Sequence, residues 1–151
     1  MKLLFFSFIT CFFATSLSAQ QVSITFQVDM TEEGANPAGV FIAGSFQGWI
    51  AGASQLIDDD GDGIFTHTAI GDANTNIQWK YLNGPSWDYA ESVPPACGNP
   101  SDNNNRAFDV TDSDAVFDVV CYGSCQACGT TAITTEVTLT VLTENISVAD
   151  D

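Results

Sequence analysis

The amino-acid sequence predicts an all-β protein that folds as an antiparallel β-sandwich. Six or seven short apolar segments are separated by clusters of Gly, Pro, Asn and Asp, which is the spacing of strands and turns in such a fold. Behind the N-terminal leader, no stretch of ten or more residues has apolar residues at positions i, i+3, i+4 and i+7. We therefore predict no helix.

The first two strands carry the clearest patterns. Residues 22–30 alternate between apolar and polar without error, beginning with Val22 and ending with Met30. This pattern predicts a strand with one buried face. A turn at 34–37 leads to residues 39–44, a continuous apolar run that is typical of a strand buried on both faces. Later strands are predicted at 63–70, 77–82, 105–110 and 115–121.

The charge of the chain excludes nucleic acid as a partner. The 151 residues contain three Lys and Arg against 19 Asp and Glu, a formal charge of -16, and the cations are isolated at Lys2, Lys80 and Arg106. A chain this negative repels a phosphate backbone and has no basic patch to offset the repulsion. The hydrophobic fraction of 45% is too high for a disordered acidic tail, so we expect a packed core.

Residues 1–19 are predicted to be a cleaved secretory signal peptide. Lys2 supplies the positive n-region, residues 3–14 form the apolar h-region, and residues 15–19 are mostly small, as at a cleavage site. The alternative is a membrane anchor, but about a dozen apolar residues fall short of the ~20 that span a bilayer. We expect a secreted or cell-surface protein, with no membrane insertion of the mature form.

Four Cys follow the leader, and their number predicts two disulfides. An even number of Cys behind a secretory signal is typical of a disulfide framework, while the Cys-x2-Cys spacing leaves a zinc site as the alternative. Of the three pairings, we favour one long-range bridge that closes the segment 93–121, together with one tight local bridge. These pairs are Cys97 with Cys121 and Cys125 with Cys128.

The C-terminal residues indicate a larger, multidomain protein. Residues 137–141 repeat the pattern of residues 24–28 at an offset of about 113 residues, the length of one domain. We therefore expect a β-sandwich domain at 20–128, a linker at 129–135 and the start of a second, truncated repeat at 136–151. Other domains of the same longer chain are then expected partners.

The residue types disfavour catalysis. The single His, His67, lies in the middle of a predicted strand between two Thr, so no nucleophile or acid stands beside it in the sequence. Most carboxylates lie in turns as runs and not at isolated apolar positions, where paired glycosidase acids would be expected. We predict that the domain is not an enzyme.

The acidic turn at residues 58–63 has two interpretations. Asp58, Asp60 and Asp62 occupy positions 1, 3 and 5 of a calcium loop with Gly63 at position 6, but position 12 is Ala69 and not a bidentate Glu. A solvated hairpin turn is the simpler interpretation, because Asp and Gly tolerate left-handed backbone conformations. The alternative is a calcium-stiffened turn, which would relieve repulsion between the carboxylates. No other cofactor is predicted.

The three Trp are predicted to divide between core and surface. Trp79 shares a strand face with Ile77 and Tyr81, which assigns it to the core and turns the next residue, Lys80, to the opposite face. Trp49 and Trp87 each follow a polar, Gly-containing turn, where a large aromatic side chain stays accessible.

The same residues resemble a known family. The segments 40–49 (VFIAGSFQGW), 60–65 (DGDGIF) and 79–87 (WKYLNGPSW) are similar to the glycogen- and starch-binding early-set carbohydrate-binding modules of the family-48 type. Such modules occur in the glycogen-binding kinase β-subunit and in branching and debranching enzymes. The resemblance covers residues 22–110 and implies an immunoglobulin-like (early-set) sandwich. The Cys-rich C-terminal extension from residue 96 to 128 lies outside the family pattern, and the turn before Trp87 is one residue longer than usual.

The resemblance implies non-catalytic binding of polysaccharide, with α-glucan (starch or glycogen) as the expected ligand. The family's contact residues carry over onto two Trp, the strand Lys and an Asn near the last strand, namely Trp49, Lys80, Trp87 and Asn104 or Asn105. The alternative is a structural or adhesive module without sugar binding, made rigid by its disulfides and kept soluble by its acidic surface.

Overall fold

A computed structural model of the chain describes residues 19–130. The predicted signal peptide, apart from its last residue, and the predicted second repeat at 136–151 lie outside the described residues, as does most of the predicted linker. The described part contains eight strands and two short 3-10 turns, at Ser45–Gln47 and Trp87–Tyr89. The strands are β1 (Gln21–Asp29), β2 (Val40–Gly44), β3 (Ser54–Leu56), β4 (Ile64–Asp72), β5 (Asn76–Leu82), β6 (Arg106–Asp109), β7 (Ala115–Val116) and β8 (Val120–Cys121).

The strands form two packed sheets, so the predicted all-β sandwich is confirmed. In the first sheet β4 pairs with one edge of β1, and the short strands β7 and β8 also pair with β1. In the second sheet the order is β3-β2-β5-β6, and every pairing is antiparallel, as predicted. The pairings of β7 and β8 with β1 are parallel and depart from the prediction. No helix in the described residues is long and apolar enough to cross a membrane.

The core follows the alternation read in the sequence. The even-numbered residues of β1 point between the sheets, and Ile24, Phe26 and Val28 are fully buried there. Trp79 is 7% exposed, as predicted for a core residue, and its ring stacks on Phe117 at 4.9 Å between centroids. This aromatic contact joins β5 to the segment between β7 and β8 and holds the two sheets together.

Two strand predictions differ from the structure. β3 was not predicted, because three residues with one apolar side chain give no periodic signal. The predicted strand at 115–121 is interrupted at residues 117–119. There the side chain of Gln27 donates to the Phe117 carbonyl oxygen at 2.6 Å, while the Phe117 N–H donates to the Thr25 carbonyl oxygen.

The four Cys form two disulfides, but not in the favoured pairing. Cys97 bonds to Cys125, and Cys121 bonds to Cys128. The chain turns back after β8, because the Cys121 N–H donates to the Gln126 carbonyl oxygen at 2.8 Å. This turn brings residue 128 to a Cα–Cα distance of 4.7 Å from residue 121 and leaves Cys125 directed towards Cys97. Sequence spacing alone does not contain this reversal.

A buried ion pair connects the second sheet to the Cys-rich extension. Arg106 donates to both carboxylate oxygens of Glu91, from Nε at 2.8 Å and from Nη2 at 2.7 Å, and both residues are buried. Burial by itself lowers the pKa of Arg106, but the hydrogen bonds and charge of Glu91 outweigh burial and raise that pKa. The guanidinium also lies 5.3 Å from the ring centroid of Tyr81.

Further hydrogen bonds satisfy the two charged groups. The Glu91 carboxylate accepts from the backbone N–H of Tyr81 at 2.9 Å and of Gly123 at 3.2 Å. Arg106 donates in addition to the Ser124 carbonyl oxygen at 2.8 Å. The ion pair therefore holds β5, β6 and residues 123–124 in one arrangement.

Loss of the acid in this pair is predicted to destabilise the domain strongly. Glu91→Ala leaves Arg106 buried without a partner, which costs about 3–5 kcal/mol in free energy of unfolding. Urea unfolding of the purified domain measures this cost. Glu33→Ala is the matched control, because the Glu33 carboxylate is exposed and makes no hydrogen bond in the described structure. A loss of less than about 1 kcal/mol for Glu91→Ala would contradict the role of the ion pair.

Alkaline pH is predicted to destabilise the domain through Tyr81, which is buried, and Tyr122, which is half-buried. Burial raises the pKa of Tyr122 to about 12 from the ordinary value of 10.0, and it also raises the pKa of Tyr81. Below pH 10 both phenols are neutral in either state and stability is unaffected. Between about pH 10 and 12 only the unfolded chain ionises freely, so the free energy of unfolding falls. In Tyr122→Phe this fall should be smaller, and an equal fall in both proteins would contradict the assignment.

Candidate functional site

A small second core on the outer face of the second sheet positions the candidate site. Phe41, Ala43 and Leu82 point away from the main core, yet all three are buried. Ala51 and Ala90 pack over them from two separate loops. The loops that cover this face of the sheet were not predicted.

The first loop carries Trp49 in a constrained turn. It follows the 3-10 turn Ser45–Gln47, and the Trp49 N–H donates to the Gly44 carbonyl oxygen at 2.9 Å. The Gln47 side chain bonds Ile50 twice, since its Oε1 accepts from the Ile50 N–H at 2.6 Å and its Nε2 donates to the Ile50 carbonyl oxygen at 2.9 Å. Trp49 has a φ of 62°, an unusual conformation for a large residue that these bonds maintain.

The second loop carries Trp87 in the 3-10 turn Trp87–Tyr89. The turn is closed by the Ala90 N–H, which donates to the Trp87 carbonyl oxygen, and by the Asn83 N–H, which donates to the Tyr89 carbonyl oxygen. Gly84 has a φ of 151°, and a Cβ at this position would lie 2.5 Å from the Tyr89 ring, so only glycine fits. Trp87 is 45% exposed.

The two loops touch each other and bring the two indoles together. A Cβ on Gly52 would lie 2.7 Å from the Pro85 carbonyl oxygen, so the loops meet with no room for a side chain. The ring centroids of Trp49 and Trp87 are 6.1 Å apart, and the ring planes are inclined by 35°. Residues 38 positions apart in sequence thus form one aromatic surface that bends between its two rings.

The indoles line an open cavity of about 480 Å³, named here the Trp cavity. Its lining combines the two indoles with one cation, one carboxylate and two amides, contributed by Trp49, Lys80, Trp87, Ala90, Asp102, Asn103 and Asn105. Lys80 projects from β5 and makes no ion pair or hydrogen bond in the described part of the chain. Arg106 is paired with Glu91, so Lys80 is the unpaired Lys or Arg of residues 19–130.

The predicted polar residues divide between the cavity and the interior. Asn105 lines the Trp cavity, and its amide donates to the Gln78 side chain at 3.3 Å. Asn104 does not line the cavity, because its amide donates to the Val93 carbonyl oxygen and its Oδ1 is buried without a partner. Asp102 and Asn103, which the sequence did not single out, lie at the cavity instead. No periodic or motif signal distinguishes them within the run 102–105.

The loop that bears these polar residues is anchored at both ends. Cys97 ties its start to Cys125, and the Asn99 N–H donates to the Asn105 carbonyl oxygen at 2.7 Å. Its end is Arg106, held by Glu91. The disulfide and the ion pair thus fix one wall of the Trp cavity, while the Trp49 and Trp87 loops form the opposite wall.

The acidic turn folds around its own carboxylates. Carboxylate oxygens of Asp58, Asp60 and Asp62 lie within 4.8 Å of one another. Each of these residues also accepts a backbone N–H of the turn, and Asp58 accepts two, from Gly61 at 2.8 Å and from Gly63 at 3.0 Å. These bonds close the turn. Calcium binding at the three Asp stays a prediction of the sequence.

The remaining titratable candidate lies outside the Trp cavity. The Nδ1 of His67 is 2.9 Å from the Gln55 carbonyl oxygen, and its ring lies 6.5 Å from that of Phe46. No carboxylate, hydroxyl or thiol is bonded to this ring in the described structure, so the triad geometry is absent there. The lining of the Trp cavity presents aromatic faces, amides, one carboxylate and one ammonium group.

Comparison with known proteins does not assign the chain to a family. No protein-family model matches it, and no curated protein matches it. Among solved structures, a family 15 glycoside hydrolase glucoamylase from Hypocrea jecorina is 18% identical, with a TM-score of 0.49 over 70% of this chain and 18% of the glucoamylase. The family 20 carbohydrate-binding module of a maltotetraose-forming amylase from Pseudomonas saccharophila is 15% identical, with a TM-score of 0.39 over 64% of this chain and 100% of the module. Similarity at this level says nothing about the ligand.

Removal of the Asp58 side chain is predicted to weaken the acidic turn. Asp58→Ala removes the acceptor of two backbone N–H groups, which should lower the free energy of unfolding by about 1–2 kcal/mol. Urea unfolding with and without a calcium chelator measures this change. Asp59→Ala is the matched control, because the Asp59 carboxylate is exposed and bonds no group in the described structure. Equal stability of the two variants would contradict the structural role of Asp58. A chelator-dependent stability of the wild type would support the calcium interpretation.

Proposed function

We propose that this chain is a non-catalytic module that binds a neutral polysaccharide, with α-glucan of the starch and glycogen class as its ligand. The single observation that carries the proposal is the convergence of Trp49, Trp87, Lys80 and Asn105 on one open cavity. These residues come from four separate segments, namely the Trp49 loop, β5, the Trp87 turn and the residue before β6, and they meet at one place.

The aromatic surface supports a sugar ligand. The face of an indole accepts the apolar C–H face of a pyranose, while amides and an ammonium group bond its hydroxyls. Flat β-1,4-linked chains stack on coplanar rings, whereas an α-1,4-linked chain curves from one glucose to the next. The 35° inclination between Trp49 and Trp87 therefore favours the curved chain.

The charges around the cavity favour a neutral glycan. Asp102 lies at the cavity, and the described residues contain many more carboxylates than cations. A uronic acid or sulfated sugar would meet repulsion from this surface at long range, which a single Lys80 does not offset. Lys80 instead supplies three hydrogen-bond donors to hydroxyl groups.

Weak affinity is expected for a single module. If each indole removes ~100 Å² of apolar surface from water, the two contribute about 5 kcal/mol before the cost of association. That cost leaves a dissociation constant on the order of 10 μM to 1 mM. Binding of this strength becomes useful through multivalency, which agrees with the proposed tandem domains of a longer chain. Secretion or display at the cell surface is part of the proposal and is supported by the two disulfides.

Trp87 is predicted to be necessary for binding and dispensable for folding. Affinity electrophoresis through gels that contain soluble starch, glycogen, hydroxyethyl cellulose or xylan should retard the wild-type domain in the first two gels only. Trp87→Ala should weaken retardation at least about tenfold, because its exposed ring face is lost. Its melting temperature should change little, since the ring is 45% exposed.

Two controls make this experiment decisive. Ile70→Ala removes a similarly exposed apolar side chain from β4, in the other sheet, and should leave retardation unchanged. Retardation of Trp87→Ala equal to that of the wild type would refute the assigned site. Absence of retardation of the folded wild type in every gel would instead favour a structural or adhesive module.

A further inference from the structure

A second cavity lies on the other side of the Trp87–Tyr89 turn and is named here the Tyr cavity. It encloses about 390 Å³ and is lined by two aromatic rings, those of Tyr89 and Tyr122, among polar side chains. Ala90 lines both this cavity and the Trp cavity, so the two are adjacent and separated only by the turn. The turn presents one aromatic side chain to each, and Trp87 and Tyr89 are equally exposed, at 45%.

The floor of the Tyr cavity is already rigid. The Tyr122 hydroxyl donates to the Tyr89 carbonyl oxygen at 2.6 Å, and the Tyr89 ring rests against Gly84. Asn83 bonds the segment opposite in two ways, by accepting from the Asn36 N–H at 2.7 Å and by donating to the Gly34 carbonyl oxygen at 3.0 Å. A ligand would therefore meet a preformed surface, which lowers the entropic cost of binding.

Several polar groups at this cavity have no partner in the described part of the chain. The Ser92 hydroxyl and the Glu33 carboxylate make no hydrogen bond there, and the side-chain N–H groups of Asn36 are likewise unused. The set contains more acceptors than donors, because Glu33 and Asp88 are carboxylates, and it lies next to an exposed phenol ring. That combination fits a hydroxyl-rich, uncharged ligand better than an anion, which the carboxylates would repel, or an apolar peptide.

We propose that the Tyr cavity is a second subsite that binds the continuation of the same glycan chain beyond the Trp cavity, with Tyr89 as its aromatic contact. This inference rests on the proposed function of the Trp cavity. The chain would pass over Ala90, the small residue between the two cavities, where a larger side chain would form a barrier. Tyr89 thereby extends the site that Trp49 and Trp87 begin and makes the domain select long chains over short ones.

The subsite is tested by calorimetric titration with maltotriose, maltopentaose and maltoheptaose. Tyr89→Ala should bind maltotriose within about twofold of the wild type and maltoheptaose about tenfold more weakly than the wild type. Tyr89→Phe retains the ring and should match the wild type at every length. A longer oligosaccharide can bind a single site in more positions along its chain, so affinity rises with length even without a second subsite. The test is therefore the comparison of affinities between variants at one oligosaccharide length.

A second variant guards against damage to the turn by Tyr89→Ala. Ser92→Leu places an apolar side chain at the rim of the Tyr cavity from an exposed position, and it should lower affinity for maltoheptaose without affecting maltotriose. Wild-type affinity for maltoheptaose in both variants would overturn the second subsite and leave the Trp cavity intact. Equal losses for all three oligosaccharides would overturn it as well, because Tyr89 would then act only through the turn. If the wild type binds none of the three oligosaccharides and is retarded in no gel, the proposed function itself fails.

Discussion

The buried ion pair between Glu91 and Arg106 is the constraint on which the site depends. Glu91 lies two residues after the Trp87–Tyr89 turn, and Arg106 directly follows Asn105. The pair therefore joins the Trp87 loop to the wall of the Trp cavity that carries Asp102, Asn103 and Asn105. A charged pair in an interior is expensive to desolvate, and replacement by apolar residues is often neutral for stability. Its value here is geometric, since it sets the distance between the Trp87 loop and the loop at residues 97–105.

Small residues allow the loops around the Trp cavity to make close contacts. Ala51 and Ala90 pack against the second core, and Gly52 meets Pro85 without an intervening side chain. Because the residues at these contacts are small, the two loops approach each other closely. Their two indoles then line the same cavity. Trp87 is 45% exposed and Trp49 is half-buried, and the hydrogen bonds of Gln47 hold the Trp49 turn at its unusual φ of 62°.

Local pattern predicted the fold and part of the site, and long-range packing decided the rest. The alternation in β1 and the apolar run of β2 gave the strands because burial of one or both faces leaves a direct trace in the sequence. The division of the Trp residues followed from strand periodicity and turn composition. The disulfide pairing was missed because it depends on a chain reversal after β8. The ion pair of Arg106 was not predicted, since nothing in the sequence places it beside Glu91, 15 positions away.

The central claim is that Trp49 and Trp87 together contact a glycan while Trp79 belongs to the core. The three indole N–H groups give three separate signals in a proton–nitrogen correlation spectrum of the labelled domain, assignable by substitution. Titration with maltoheptaose should shift the signals of Trp49 and Trp87 and leave that of Trp79 in place, because its ring is 7% exposed between the sheets. No shift at saturating sugar, or a shift confined to residues outside the Trp cavity, would contradict the account.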